Sequence, residues 1–207
     1  MKQIVWLLLL MLVLPVAGFA NSVDFTNSGG TLSGGNSGLS LSGSTLIAIN
    51  APPLGLITGN LGSVTFSTGA LSTGSLQTGG TFAAGGTFVI TGNGTDGIPN
   101  GAIFNGTFSG PVTWTLITLS NGTHNYTLTG ALSGTWFTGQ TVYGATVQLT
   151  VNTGKGFFDG STTVSSGDTN IVGNNLRTVT TPEPASISLL GSGLIGLAGI
   201  LRRKLKQ

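Results

Sequence analysis

The sequence predicts an all-β domain, an antiparallel β-sandwich of the jelly-roll type, together with a single C-terminal transmembrane helix. Three observations predict this class: short apolar–polar alternations between Gly and Asn turns, a charge content of only 6%, and an apolar segment near each end of the chain. Average soluble domains carry about 25% charged residues. The composition is therefore not that of a typical cytosolic enzyme.

The N-terminal segment has the build of a secretory signal peptide. Lys2 provides a positive start, Ile4–Leu14 is a continuous apolar run, and the sequence VAGFA then offers small residues for cleavage. We expect residues 1–20 to be a signal peptide cut after Ala20, and residues 21–180 to form a β-rich exported domain. An uncleaved anchor is the alternative, but the apolar run is short for a membrane span.

A second apolar segment without a charge, Ala185–Leu201, lies near the C-terminus. As a helix it would be about 26 Å long at about 1.5 Å per residue, which is near the lower limit for crossing about 30 Å of hydrocarbon. It is followed at once by a basic cluster of Arg202, Arg203, Lys204 and Lys206. The pattern predicts a transmembrane helix at 185–201 whose basic end stays cytoplasmic, with the preceding domain outside.

The tripeptide Pro182-Glu183-Pro184 stands just before this apolar segment. Both prolines fix φ and disfavour the α region in the preceding residue, so the tripeptide is extended and presents Glu183 beside the predicted helix. Alone, it is more typical of an ordinary helix start with an acid near the positive end of the helix dipole. Followed by a short Gly-rich apolar helix and a basic cluster, it makes residues 181–207 closely resemble the PEP-CTERM sorting signal.

The resemblance implies a route for the protein. In this family the tail is recognised by exosortase, a multi-pass membrane enzyme that is thought to cleave it and pass the substrate outward. This implies a bacterial precursor held in the membrane, then a cell-surface or extracellular protein, associated with extracellular polysaccharide or biofilm. Thr181 departs from the Val that is frequent in the family. The shared part is the tail, so the resemblance implies routing and not an activity.

The clearest strand of the body is residues 141–152, TVYGATVQLTVN. Its alternation predicts one buried face made of Tyr143, Ala145, Val147, Leu149 and Val151. A β-hairpin is predicted over 112–132, with strands at 112–119 and 125–132 around the turn Asn121-Gly122. Weaker strand candidates are 39–49, 63–68, 86–91, 103–108 and 134–138.

Two features leave the architecture of the body open. The pentapeptide TGALS occurs at 68–72 and 129–133, and GGTF occurs at 79–82 and 85–88. Such repeats make a β-solenoid the alternative fold, although no period is sustained. The Gly- and Ser-rich stretch 27–43 is predicted to be a loosely ordered arm.

The body contains little that predicts catalysis. His124, the one histidine, is interpreted as a surface turn residue in SNGTHNY, because nothing identifies the partner that a catalytic histidine needs. The body has four aspartates, and the sequence brings no two of them together as a glycosidase would require. Cysteine is absent. We therefore predict a non-enzymatic structural protein with no catalytic, cofactor-binding or metal residues; a secreted hydrolase is a lesser alternative.

The loop GNGTDGIPNG at 92–101 is the one candidate calcium site. Asn93, Asp96 and Asn100 would offer oxygen ligands, but a single acid and an incomplete EF-hand pattern favour a plain turn. The Asn-x-Thr sequences are also interpreted as turns; they begin at Asn93, Asn105, Asn121 and Asn125.

Four aromatic residues would form a sugar-stacking platform if they were exposed on one face: Trp114, Tyr126, Trp136 and Tyr143. Their aliphatic neighbours favour core packing instead. If the rings were exposed, the domain would be a carbohydrate-binding or adhesive module, which is the alternative to a structural role. Without the two ends the chain has two basic residues against four acidic ones, so we expect no nucleic-acid partner.

Overall fold

The computed structural model of the protein describes residues 20–52, 54–174 and 176. In this part of the chain, twelve strands follow one another: β1 (Ala20–Ser28), β2 (Thr31–Gly35), β3 (Gly38–Ala51), β4 (Gly55–Ser67), β5 (Leu71–Ser75), β6 (Gly79–Phe82), β7 (Gly85–Asn93), β8 (Asn100–Phe108), β9 (Val112–Thr118), β10 (His124–Trp136), β11 (Thr141–Asn152) and β12 (Ser161–Asn174).

Eight of these strands close on one another to form a barrel. Around it, the hydrogen-bonded neighbours are β1, β3, β4, β7, β8, β10, β11 and β12, and β12 pairs again with β1. Each of these pairings is antiparallel. Because the order around the barrel follows the order along the chain, the topology is an up-and-down meander.

The other four strands lie at one end of the barrel. β2 pairs with β3 and with β12. β9 pairs with the first half of β10, and β6 and β5 continue outward from β9 as a small side sheet. The opposite end carries the first residue of β1 and the last residue of β12, which pair as Ala20↔Asn174.

The sandwich predicted from the sequence is wrong, and so is the solenoid alternative. Alternation shows that each strand buries one face, but a closed sheet and two stacked sheets produce the same alternation. The long-range pairing of β1 with both β3 and β12 decides between them, because it joins the two edges of the meander. A solenoid would need parallel stacked repeats, whereas the neighbours here are antiparallel.

The strand predictions hold for the middle of the chain. β11 has the predicted bounds 141–152. The weaker candidates 39–49, 86–91 and 103–108 lie within β3, β7 and β8, and the candidate 63–68 runs one residue past the end of β4. The candidates 125–132 and 134–138 overlap one continuous strand, β10, which ends at Trp136.

The predicted loose arm at 27–43 is instead part of the sheet. It contains β2 and the start of β3, with Leu32 opposite Leu41. Leu32, Leu39 and Leu41 are all buried. Widely spaced leucines among Gly and Ser still alternate at period two, and burying them is enough to order the segment.

The barrel is filled by side chains from the inner faces of its strands. Phe66, Phe88, Phe104 and Phe108 pack with ring centroids 5.8–6.3 Å apart, mostly edge to face. Phe25 of β1 contacts Trp136 of β10 at 6.0 Å. Aromatic rings supply large apolar areas, so a few of them stabilise a core in a chain poor in Leu and Ile.

A second aromatic group fastens the side sheet to the barrel. Trp114 and Tyr126 stack with centroids 4.8 Å apart, and Phe158 meets the Trp114 ring edge-on at 5.5 Å. The polar atoms of the stacked pair bind the loop between β5 and β6: Trp114 Nε1 donates to Leu76 O at 2.9 Å, and Tyr126 OH donates to Gln77 O at 2.7 Å. The loop is thereby fixed by two buried rings whose polar atoms are satisfied.

The predicted transmembrane helix at 185–201 lies outside the described residues. Within the described part, no helix is long and apolar enough to cross a membrane.

Gly62 of β4 allows a close approach of β7. Its φ is +146°, and a Cβ there would lie 1.9 Å from Thr91 O. Gly59 in the same strand has a similar φ of +143°, but a Cβ there would meet nothing closer than 3.9 Å. We expect Gly62→Ala to lower the free energy of unfolding by about 4 kcal/mol or more, and Gly59→Ala by about 1–2 kcal/mol, the cost of backbone strain alone.

Denaturant titration of the two variants measures this difference. Equal losses of stability would contradict the close approach of β4 and β7, because both variants carry the same backbone strain.

Candidate functional site

The residues predicted to direct sorting lie outside the described part of the chain. These are Pro182, Glu183 and Pro184, and the basic cluster Arg202, Arg203, Lys204 and Lys206. The same holds for residues 1–19 of the predicted signal peptide. The described part shows where both segments join the barrel, since Ala20 and Asn174 are paired on neighbouring strands. The segments before and after the barrel therefore begin at the same end of it.

A polar groove of about 630 Å³ runs across the outer face of β1, β12, β11 and β10. We call it the acid groove, because two of its residues are Asp24 and Asp168. The register places Asp24 opposite Asn170, and Asp168 between Thr26 on one side and Gln148 on the other. Each outward-facing row of this surface therefore continues across three strands.

The two carboxylates of the acid groove accept hydrogen bonds from the neighbouring strand. Asn170 Nδ2 donates to Asp24 Oδ1, and Thr26 Oγ1 donates to Asp168 Oδ1 at 2.9 Å. Diagonal neighbours on one face of a sheet lie about 7–8 Å apart. The structure thus brings together two acids that are 144 positions apart in the sequence, a pairing that no local pattern predicts.

A second, shallower groove lies on the outer face of β7, β8, β10 and β11. We call it the tyrosine groove after Tyr143, whose side chain is 84% exposed. Its rim carries hydroxyl and amide groups, and its floor includes backbone at Gly106 and Gly134; the polar rim residues are Thr87, Asn105, Thr107, Ser133, Thr135 and Thr141.

A β-bulge turns Tyr143 outward. Leu132 pairs with Ala145 and Gly134 pairs with Val142, so β11 has two residues where β10 has only Ser133. An extra residue reverses the alternation of the strand beyond it. Val142 therefore points inward and is 1% exposed. The prediction that Tyr143 shares the buried face with the residues from Ala145 to Val151 is wrong for this reason.

The other three aromatic candidates are buried, as predicted. Trp114, Tyr126 and Trp136 are each at most 1% exposed. A platform of all four rings is therefore excluded, and Tyr143 is the one that a ligand can reach.

His124 is not the surface turn residue that we predicted. It is the first residue of β10 and is 9% exposed. Its ring stacks on Phe157 with centroids 4.4 Å apart, and its Nδ1 lies 3.2 Å from Gly156 O. Stacking and strand pairing bury it at the end of the barrel that carries the side sheet, away from the carboxylates of the acid groove.

The predicted turn at 92–101 is present. Asn93 Oδ1 accepts hydrogen bonds from Thr95 N at 3.1 Å and Thr95 Oγ1 at 2.7 Å, which is an Asx-turn. Asp96 has a φ of 51°, in the left-handed region that Asp tolerates in turns. Among the described residues, no cluster of three or more His, Cys, Asp or Glu could hold a metal ion.

The Asn-x-Thr sequences divide into two kinds. Asn121 makes the same turn as Asn93, with Oδ1 accepting from Thr123 N at 3.0 Å and Thr123 Oγ1 at 2.7 Å. Asn105 and Asn125 instead lie inside β8 and β10. The turn interpretation is therefore right for two of the four and wrong for the other two, because the same tripeptide also fits an outward-facing strand.

Comparison with known proteins identifies the tail. Residues 180–204 match the family model of the PEP-CTERM protein-sorting motif. No curated protein and no solved structure matches the chain. The match confirms the resemblance seen in the sequence, and it lies entirely beyond the strands of the barrel.

The two Asx-turns provide a test of the loop at 92–101. We expect Asn121→Ala to lower the free energy of unfolding by about 1 kcal/mol, because it loses the two hydrogen bonds of its turn. Asn93→Ala should cost more, because it also loses the bond that Asn93 Nδ2 donates to Asn60 O at 2.6 Å. Millimolar calcium should leave the Tm of the unsubstituted protein unchanged. A calcium-dependent rise in Tm that Asn93→Ala abolishes and Asn121→Ala retains would contradict the turn interpretation.

Proposed function

We propose that this protein, whose tail is a PEP-CTERM protein-sorting motif, is a non-enzymatic structural component of the bacterial envelope or extracellular matrix. The observation that carries the proposal is the family match at 180–204. The motif implies an exported protein with an exosortase as its processing partner. Residency in the extracellular polysaccharide or biofilm matrix, and anchoring by the apolar segment 185–201 before processing, are the further parts of the proposal.

The barrel supports a structural role by its closure. Each of the eight barrel strands pairs on both sides, so none of them offers an open edge that could template aggregation. The chain contains no cysteine, so this stability does not depend on a disulfide. The described residues include four aspartates and a single Lys, Lys155, and a hydroxyl-rich surface of low charge is compatible with a hydrated matrix.

The first and last strand residues of the barrel lie together, which supports handling at a membrane. Ala20 and Asn174 are paired at one end of the barrel. A barrel held by the tail that follows it would present that end to the membrane and the side sheet outward.

A carbohydrate-binding or adhesive module is the second candidate function. The specific observation that favours it is the exposed ring of Tyr143 beside a groove of hydroxyl and amide groups. Single aromatic rings of this kind offer an apolar face and a polar edge to a ligand.

The tail predicts a trapped precursor when it is altered. We expect Glu183→Gln, or replacement of Arg202, Arg203 and Lys204 by Gln, to leave an unprocessed form in the membrane fraction, because the sorting enzyme loses a recognition element. Cell fractionation and intact mass of the protein measure this. Asp159→Asn and Lys155→Gln are the controls, since each removes a charge of the corresponding sign from the body.

Processing and release of the tail variants like the unsubstituted protein would contradict the sorting proposal. For the structural role, we expect the released protein to co-fractionate with the polysaccharide matrix of its host. Recovery of all of it in the free culture medium would contradict that part.

A further inference from the structure

We infer that the tyrosine groove, continued by the acid groove, is a binding site for a neutral, hydroxyl-rich polysaccharide. The inference rests on the second candidate function and adds to it the site and the class of glycan. Four features of the surface support it: the exposure of one ring, the free polar groups around it, the continuity of the two grooves and their charge.

The side chain of Tyr143 is exposed to solvent. Large aromatic side chains usually bury most of their area, and this one is 84% exposed within a strand that otherwise alternates regularly. The bulge opposite Ser133 is what turns it outward. Bulges are frequent where a strand re-aims a side chain for binding. The ring thus presents its apolar face to the solvent, where the C–H face of a sugar ring can stack on it.

The rim of the tyrosine groove is polar. Asn105, Ser133, Thr135 and Thr141 point outward around the ring. Within the described part of the chain, their side chains make no hydrogen bond to protein atoms. They therefore keep donors and acceptors for the hydroxyl groups of a ligand, so that binding a sugar would not require breaking internal hydrogen bonds.

The outer face of β11 connects the tyrosine groove with the acid groove. From Tyr143, the outward residues of this strand continue to Thr146 and Gln148, which line the acid groove. At about 3.3 Å per residue, Tyr143 and Gln148 are about 16 Å apart along the strand. This length exceeds a single sugar ring, so the surface suits an extended chain and not only a terminal sugar.

The charged side chains that line the two grooves are all negative. The acid groove contributes two carboxylates, Asp24 and Asp168, and no Lys or Arg lines either groove. Lys155, the one basic residue in the described part, follows β11 at the opposite end from Tyr143. An anionic polysaccharide would be repelled by this face, whereas the amides and carboxylates can accept hydrogen bonds from neutral sugars. The charge therefore selects a neutral glycan.

Affinity electrophoresis of the purified full-length chain tests the site. We expect gels containing a neutral polysaccharide, either a β-glucan or a galactomannan, to retard the unsubstituted protein. Tyr143→Ala should lose the retardation, with binding at least 10-fold weaker, and Tyr143→Phe should retain it. Phe157→Ala is the matched control, because Phe157 is an exposed ring, 52% exposed, at the opposite end of the barrel.

The preference for neutral over anionic glycans is tested separately. We expect polygalacturonate, an anionic polysaccharide, not to retard the unsubstituted protein at low salt. The double variant Asp24→Asn, Asp168→Asn should gain retardation by polygalacturonate, because it removes both carboxylates of the acid groove. Circular dichroism checks that each variant is folded.

Several outcomes overturn the inference. One is the absence of retardation of the unsubstituted protein by either neutral polysaccharide, and another is equal retardation of Tyr143→Ala. A third is tighter binding of the unsubstituted protein to polygalacturonate. Dissociation of a dimer by Tyr143→Ala would instead assign the ring to a contact between two copies. None of these results bears on sorting, which the tail variants test in cells, so failure of the site and failure of the proposed route are distinguishable.

Discussion

Strand β1 pairs with β12 over residues 20–27 and with β3 over residues 24–28, and the remainder of the fold depends on this double pairing. Without it, β3 and β12 would be joined only at the end that carries the side sheet, through the short strand β2, and Val23 and Phe25 would lose the interior in which they are buried. Closing the barrel joins residues about 150 positions apart, which costs loop entropy only slowly as the loop lengthens. The side chains on the inner faces of eight strands then share one core.

The same pairing organises the outer surface. It places Asp24 beside Asn170 and diagonally from Asp168, so the acid groove exists only in the closed barrel. It also sets Ala20 beside Asn174, so the chain enters and leaves the barrel at the same end. A single strand thus links the stability of the domain, its polar face and its attachment to the segments that route it.

The sequence was informative wherever a signal is local. The tail is recognised from the order of its parts, and β11 has the bounds that its alternation predicts. Closure was not predictable, because alternation reports which face of a strand is buried and not which strands meet. For the same reason the sequence did not predict that Asp24 and Asp168 are diagonal neighbours on one face of the sheet. The bulge at Tyr143 was missed because one extra residue changes no composition, and His124 because a turn-like sequence can also begin a strand.

Hydrogen exchange of the β1 amides, followed as denaturant is raised, tests closure by this strand most directly. If β1 joins β3 and β12 as described, its central amides, from Val23 to Thr26, should exchange only through the same opening as those of β10 and β11, with the same dependence on denaturant. Exchange of these amides orders of magnitude faster than that of β10 and β11, and independent of denaturant, would show that β1 opens alone and would contradict the closed barrel.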